Sequence, residues 1–524
     1  MFPRPFHALS AFLLLVGTNA TAAEFLVDTT DDDGGPAFQI CDADAANANC
    51  SLRGALAAID ASPGPHTIRF DLPTSDAGYV PATAHWRFSP ATPYPYITRE
   101  LTIDGYTQPG ATPNTLAAAA GGTNAVLKIE IAGPGRAAQT IGLQAVNGPA
   151  AAPLLLRGIA INRFFQAIYL MNAGVHRIEG CFIGTDISGM SGFDPAVAGW
   201  IGIINSVGTL HLGGSSPGQR NLVSGNLYIG LWDKTPNPAR IEGNLFGTNA
   251  TGTAELARQD YAIHINALGQ AATIGGSTLG AGNLFAANRF GAIYVDAQVP
   301  TGMADPQAVR ILGNRFGTDP SETLALGNGL NPGSPSQPQA TIFVFGTGRC
   351  GIAVGGDAPG EGNLIAHSGA AGVQVANCTQ VPVLGNRFLR NRRLALDLSL
   401  SSNADGTTAN DAGDADEGGN RLQNSPEITS FACVAGTCTL GFRVDTAVAN
   451  AAYPLRIDLM RGRNGQPEAS IASTTYLAGD AGLERTISFA AAALAGGALV
   501  LSATDALDNT SEFAGDHLFW ADFD

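Results

Sequence analysis

Three sets of residues in this chain could do chemistry. The first is an aromatic series, Tyr169, Trp232 and Tyr294, with Gln374 in the fourth place. The residues before them, Ile168, Leu231, Ile293 and Val373, are apolar, so strand alternation turns those inward and the rings outward. A row of rings can stack on an extended glycan, and ordinary β-propensity gives the same pattern. The second set is Arg177, Arg240 and Arg310, a column broken by Pro382, with Glu179 and Glu242 two residues on. A guanidinium strip suits carboxylated or sulfated sugars, and a strip interleaved with acids equally suits a solvated surface. The third set is acidic. Asp405, Asn410, Asp411, Asp414 and Asp416 offer hard oxygen ligands of the kind calcium takes. Their spacing is not that of an EF-hand loop, and a solvated linker has a similar composition.

Other candidates are weaker. Trp232-Asp233-Lys234 is the densest mixed cluster, and Asp233 fills a slot that is Leu170, Val295 and Val375 elsewhere. An acid there means a strand ending early or a functional group. Asp186 and Asp319 close copies of one phrase that lie two long repeats apart, too far to be a glycosidase pair, and read as turn caps. The eight histidines do not cluster.

A repeat must position these residues. Gly180-Cys181-Phe182-Ile183-Gly184-Thr185-Asp186 returns as Gly243-Asn244-Leu245-Phe246-Gly247-Thr248-Asn249 and as Gly313-Asn314-Arg315-Phe316-Gly317-Thr318-Asp319, then shortens to Gly385-Asn386-Arg387-Phe388. A second phrase interleaves with it: Gly213-Gly214 to Asn221, Gly275-Gly276 to Asn283, Gly355-Gly356 to Asn363. The segments between these turns are short, apolar and strand-like, as in Arg310-Ile311-Leu312. Like residues in register at a long period point to a parallel β-helix, in which coils stack about 4.8 Å apart. About three coils per repeat predicts coils of roughly 20–25 residues and outward rings roughly 14 Å apart. Ile183, Phe246, Phe316 and Phe388 should point inward, and Asn244, Asn314 and Asn386 should form a buried turn ladder, with Cys181 in the first slot.

Further motifs read Cys50-Ser51-Leu52-Arg53-Gly54-Ala55-Leu56, Ile103-Asp104-Gly105-Tyr106-Thr107-Gln108-Pro109-Gly110-Ala111 and Asn410-Asp411-Ala412-Gly413-Asp414-Ala415-Asp416. On these residues the chain resembles the bacterial secreted right-handed parallel β-helix repeat proteins with an N-terminal CSLREA-type motif. It departs from that motif at Gly54, where the motif has Glu. The resemblance spans roughly residues 25 to 515 and implies an all-β, pectate-lyase-like solenoid. That fold hosts lyases, hydrolases and adhesins, so it leaves activity open. The Gly-His-Gly of β-helix polygalacturonases and the Arg-x-Pro-x-x-Arg of pectate lyases do not occur here. These absences favour non-catalytic binding or adhesion to glycans or surfaces over a polysaccharide lyase or glycoside hydrolase.

Residues 1–23 read as a signal peptide, with Arg4, the apolar Leu13-Leu14-Leu15-Val16 and the small Ala20-Thr21-Ala22. The apolar run is too short to span a bilayer, and no later segment is long enough. A secreted or cell-surface location follows. The remaining parts are a cap region over 24–66, with Ser51 capping a helix over 51–61, and coils over 67–400. An acidic linker over 401–425, an Ig-like β-sandwich over 426–516 and a tail over 517–524 complete the chain. The whole sequence has 28 basic and 44 acidic residues, a net charge of −16. Loss of Arg4 leaves 27 − 44 = −17, which argues against a nucleic-acid partner. Seven cysteines in an exported chain suggest three disulfides: Cys41 with Cys50, Cys433 with Cys438, and Cys350 with Cys378 about one coil apart. Cys181 is then a lone buried thiol. No spacing resembles a zinc site.

Overall fold

The computed structural model describes residues 22–42, 48–61, 64–148, 151–256, 259–267, 271–297, 309–330 and 340–515. The expected signal segment, except its last two residues, and the tail over 517–524 lie outside them. The short apolar runs form strands, and strands of successive coils pair in parallel, apart from the antiparallel pair Tyr79–Val80 with His85–Phe88. They build three long sheets. Sheet one has eleven strands, from Ala23–Val27 to Val383–Leu384. Sheet two has eleven, from Tyr79–Val80 to Arg387–Leu389, and sheet three has nine, from Ile141–Ala145 to Leu396–Ser399. This is the right-handed parallel β-helix, the hand that parallel crossover connections take.

The helix Leu52–Ile59 is capped by Ser51, whose Oγ accepts from the Gly54 N–H at 2.8 Å. Its Leu52, Ala55, Leu56 and Ile59 join the N-terminal end of the solenoid core. Gly54 has a steric reason to be glycine: a Cβ there would lie 1.8 Å from the Phe38 carbonyl oxygen.

Inside, one column runs Ile161, Ile183, Val223, Phe246, Phe285, Phe316, Ile365 and Phe388, in register and buried. The rings of Phe246, Phe285 and Phe316 stack at 4.9 and 4.8 Å. The turn between sheets one and two carries the asparagines. Asn221, Asn244, Asn283, Asn314, Asn363 and Asn386 are all buried, and the Nδ2 of each of the first five donates to the Oδ1 of the next at 2.8–3.1 Å. Each Nδ2 also donates to a backbone carbonyl one coil back, as Asn283 does to Ile241 at 2.7 Å. The Cys181 N–H enters the same ladder by donating to Asn221 Oδ1.

This ladder corrects the coil count. Both sequence phrases supply asparagines to it, alternately, so the long repeat spans two coils and not three. Neighbouring ladder asparagines are 23 to 49 residues apart. The Gly before the asparagine is required by its backbone: Gly243 has φ +67°, and a Cβ there would meet the Gly214 carbonyl oxygen at 2.3 Å.

Past the last coil, a three-stranded and a four-stranded antiparallel sheet form the β-sandwich around Leu440, Phe442, Leu459, Tyr476 and Leu501. It docks on the open end of the solenoid. Gln466 accepts from the Asn391 N–H at 2.9 Å and donates to its carbonyl at 2.7 Å. Asn509 accepts from the Gln380 N–H and Thr510 from the Val383 N–H. The three disulfides are Cys41–Cys50, Cys350–Cys378, which ties adjacent strands of sheet three, and Cys433–Cys438 across a hairpin. Cys181 is the buried free thiol, and burial pushes it up to about 12.

Asn283→Ala should strip the Asn244 amide and the Ile241 carbonyl of their partners at once. At about 1–3 kcal/mol per orphaned buried group, a loss of several kcal/mol is expected. Leu279→Ser, at an exposed loop position, should change stability by less than about 0.5 kcal/mol. Calorimetry on both variants checks this, and equal midpoints would contradict a structural ladder.

Candidate functional site

The aromatic series lies on the outer face of sheet three. Register places Tyr169, Ile204, Trp232, His264, Tyr294, Phe343, Gln374 and Asp397 in one column across successive coils. Tyr169, Trp232 and Tyr294 therefore stand two coils apart, roughly 9–10 Å and not 14 Å. The long-period alignment misses the coils between and beyond them: Ile204 lies between Tyr169 and Trp232, the His264 ring between Trp232 and Tyr294, and the Phe343 ring after Tyr294. Trp232 stacks on His264 at 5.3 Å, His264 on Tyr294 at 4.5 Å, and Tyr294 on Phe343 at 5.4 Å. Ring faces are thus largely covered by each other, and the solvent side meets ring edges. Lys234 Nζ lies 4.5 Å over Trp232. A parallel column adds Asn266 and Asp296: Trp232 Nε1 donates to Asn266 Oδ1 at 2.7 Å, and Asn266 donates to Asp296 at 3.3 Å. Burial, then the Lys234 charge, holds His264 down at about 4, so it is neutral at physiological pH. Beside this column Trp200 stacks on Tyr228 at 5.0 Å above Ile201, Ile229 and Tyr261.

The arginine column lies on a different flank, the outside of sheet one. Register sets Arg177, His211, Arg240, Thr273 and Arg310 in line. Arg240 approaches Glu242 at 3.8 Å and Arg310 reaches Glu361 at 3.1 Å. Two of its arginines are paired with acids, as on a solvated face, and the strip does not join the aromatic face.

The strand Ile229–Asp233 ends at Asp233, yet the side chain is fully buried among Asn205 and Ile265. Asn205 donates to it at 3.1 Å, and burial pushes it up to about 7. Asp319 caps its turn, accepting from the Thr323 and Leu324 N–H groups at 2.8 and 2.7 Å. A polar cluster that sequence reasoning missed surrounds Glu130, which contacts His85 at 2.9 Å, Arg87 at 2.6 Å and Asn162 at 2.9 Å. Burial raises Glu130, but these three partners outweigh it and hold it at about 2.

The acidic stretch divides. Carboxylate oxygens of Asp411, Asp414 and Asp416 lie within 4.8 Å of one another, while Asp405 and Asn410 sit elsewhere. Asn410 bonds the Ser425 backbone at both its amide atoms. Asp414 is buried and accepts from the Asn424 N–H, Gln423 and Thr446. Asp405 instead faces Asp397 and Glu512 at the sandwich seam. Burial, with repulsion from Asp397 and Asp405, pushes Glu512 up to about 7, and burial with Asp405 pushes Asp397 up to about 6.

No family model, no curated protein and no solved structure matches this chain. Among the described residues no helix is long and apolar enough to cross a membrane.

Asp233, Asp397 and Glu512 have folded values above the unfolded carboxylate value of about 4. The folded chain therefore holds extra protons between about pH 4 and pH 7, and the burial cost is complete above that window. Glu130 and Asp319, both held at about 2, act oppositely and lose stabilisation as pH falls below about 4. The thermal midpoint should rise from about pH 8 to pH 5 and drop again below about pH 4. A midpoint that falls from pH 8 to pH 5 would contradict the buried acid set. Calcium held by Asp411, Asp414 and Asp416 would raise the midpoint at the alkaline end and less at the acid end, where protons compete.

Proposed function

We propose that this chain is an exported, non-catalytic binding module that recognises an extended glycan along the outer face of sheet three. The observation that carries this reading is the continuous aromatic column from Trp232 to Phe343, flanked in register by Lys234, Asn266 and Asp296. Trp232 and Tyr294 keep part of their rings at the surface, while Phe343 is buried at the end of the row, and a belt of partly exposed rings beside a lysine, an amide and a carboxylate supports an interaction surface. The belt offers ring edges, amide and carboxylate groups at one coil spacing, which suits a polymer laid along the solenoid axis. Its stacking fixes the side chains beforehand, so little rotamer freedom is lost on binding. Three disulfides are compatible with an oxidising compartment.

The second reading, a polysaccharide lyase or glycoside hydrolase, draws on Arg315, Glu322 and Arg387, which face one groove. A glycosidase needs two carboxylates about 5–10 Å apart, and this group has one, tied to two arginines.

The exported chain should retard intact polysaccharide in affinity electrophoresis across a panel of neutral and acidic polymers. Trp232→Ala and Tyr294→Ala should weaken the best partner about tenfold or more, a change of about 1.4 kcal/mol. Mass spectrometry of the same mixtures decides between the readings. New oligosaccharides, unsaturated or reducing, would replace binding with catalysis, and absence of retardation across the panel would remove the glycan.

A further inference from the structure

The outer face of sheet two changes character along the solenoid. Its register column reads Phe182, Leu222, Leu245, Leu284, Arg315, Leu364 and Arg387. The first four pack under Leu127, Ile187 and Ala250 in a closed apolar cluster. Beyond Leu284 the column opens into a cleft of about 440 Å³, with Leu284 and Leu364 on its floor.

We propose that this cleft binds an acidic oligosaccharide, one carrying carboxylate or sulfate groups, with Arg315 and Arg387 as the paired anion receptors. They occupy the same column with Leu364 between them, so their backbones stand two rungs apart, roughly 9–10 Å. That spacing fits acid groups on alternate sugar units of an extended chain. Glu322 sits between the two guanidinium groups at 3.3 Å from each. One carboxylate serves two arginines, each with five N–H donors, so donors remain for a ligand. Arg220 adds a third positive charge to the wall while its own donors go to the Gly243 and Gly122 carbonyls. The cleft is therefore locally cationic, three charges against one, in a chain whose net charge is −16. Such an inversion focuses anions into it.

The wall favours a sugar over an acidic peptide. It is lined by Gly280, Gly360 and Gly385, which leave peptide groups unshielded for hydroxyl partners. These positions also hold the coils close: a Cβ on Gly385 would lie 2.2 Å from the Gly356 carbonyl oxygen. A second cleft of about 380 Å³ shares Gly360, Gly385 and Arg387 with the first and continues to Met460 and Phe513 at the sandwich. Its own arginine, Arg456, is engaged by Asp357 and Asp458. The trench is thus cationic at the solenoid end and, with one arginine against two aspartates, acidic at the sandwich end, which holds an anionic ligand at Arg315 and Arg387. This site lies on another flank from the aromatic belt and does not depend on it.

Calorimetric titration tests the site with tetragalacturonate, a sulfated tetrasaccharide, neutral maltotetraose and inorganic sulfate. At least one acidic tetrasaccharide should bind, and more weakly as salt rises; the two acidic arms separate carboxylate from sulfate recognition. Arg315→Gln and Arg387→Gln should each weaken it tenfold or more, while Glu322→Gln, which frees both arginines, should strengthen it. Maltotetraose should not respond to these changes. Thermal midpoints within a few degrees of the parent confirm that the variants are folded. Trp232→Ala serves as the control for the other face: a loss there with no loss in Arg387→Gln would place acid recognition on the aromatic belt and overturn the proposal. Binding of neither acidic tetrasaccharide, or of sulfate alone, would also overturn it.

Discussion

A buried side-chain amide with no free hydrogen-bonding group underlies this molecule. In the ladder from Asn221 to Asn386, each inner asparagine gives one N–H to a backbone carbonyl of the coil behind and one to the asparagine ahead. Its Oδ1 in turn takes the backbone N–H and the side-chain N–H of the preceding rung, as Asn314 does from Asn283. A tight turn leaves backbone groups that no strand can pair, and burying them unpaired would cost about 1–3 kcal/mol each. The ladder satisfies them at every rung. It also fixes the rung spacing, so the inward phenylalanines meet at stacking distance and the outward columns stay in register. A second run of amides, Asn226, Gln259, Asn288 and Asn328, does the same at the turn between sheets two and three.

Because the turns and sheets are fixed in this way, the connecting loops are free to differ. Coils take from 23 to 49 residues between ladder asparagines, and the additional residues go into loops that cover or uncover a sheet face. On sheet two, loop residues Leu127, Ile187 and Ala250 cover Leu222 and Leu245, and the open part begins at Arg315. On sheet three the outward residues are aromatic over successive coils. Sheet one carries arginines paired with acids. One repeat thus presents three chemically distinct flanks, which is how a single solenoid can hold more than one binding surface.

Much of this was legible in the residues. The Gly-Asn-x-Phe phrase identified inward Phe246, Phe316 and Phe388 and the ladder positions Asn244, Asn314 and Asn386. Alternation turned Tyr169, Trp232 and Tyr294 outward. The coil length is hidden because two phrases alternate in one ladder: Gly282-Asn283-Leu284-Phe285 and Gly362-Asn363-Leu364-Ile365 carry the same Gly-Asn core but follow a Gly-Gly turn and lack the Gly-Thr-Asx ending of the full copies. The long-period alignment skips one coil in two, and the rings of His264 and Phe343 that cover the faces of Trp232 and Tyr294 lie on the skipped coils. The cleft had a visible signal too. The variable position of the phrase is Phe182, then Leu245, then Arg315 and Arg387, an outward slot that changes from apolar to cationic along the chain. What no spacing revealed is Glu322, which reaches these arginines from a loop seven residues beyond Arg315. The Glu130 cluster was equally hidden, since His85, Glu130 and Asn162 come from separate coils.

The two ends of the solenoid meet the same physical problem by different means. A parallel sheet that stops leaves a row of unpaired N–H and C=O groups, which invites pairing with another chain. At the start, the helix Leu52–Ile59 lays its apolar face over the core. At the far end the sandwich supplies side chains rung by rung. Gln466 takes the place of the next ladder amide for Asn391, Asn509 and Thr510 receive the N–H groups of Gln380 and Val383, and Glu512 receives those of Leu398 and Thr408. An ionised carboxylate serves well there because both its oxygens accept. Its burial beside Asp397 and Asp405 is the consequence, and it explains why the raised acids gather at this seam. The sandwich is therefore part of the hydrogen-bonding of the solenoid. A chain cut after the last coil would expose the groups of Asn391, Val383 and Leu398 together, so solenoid and sandwich should unfold as one unit rather than as beads on a linker.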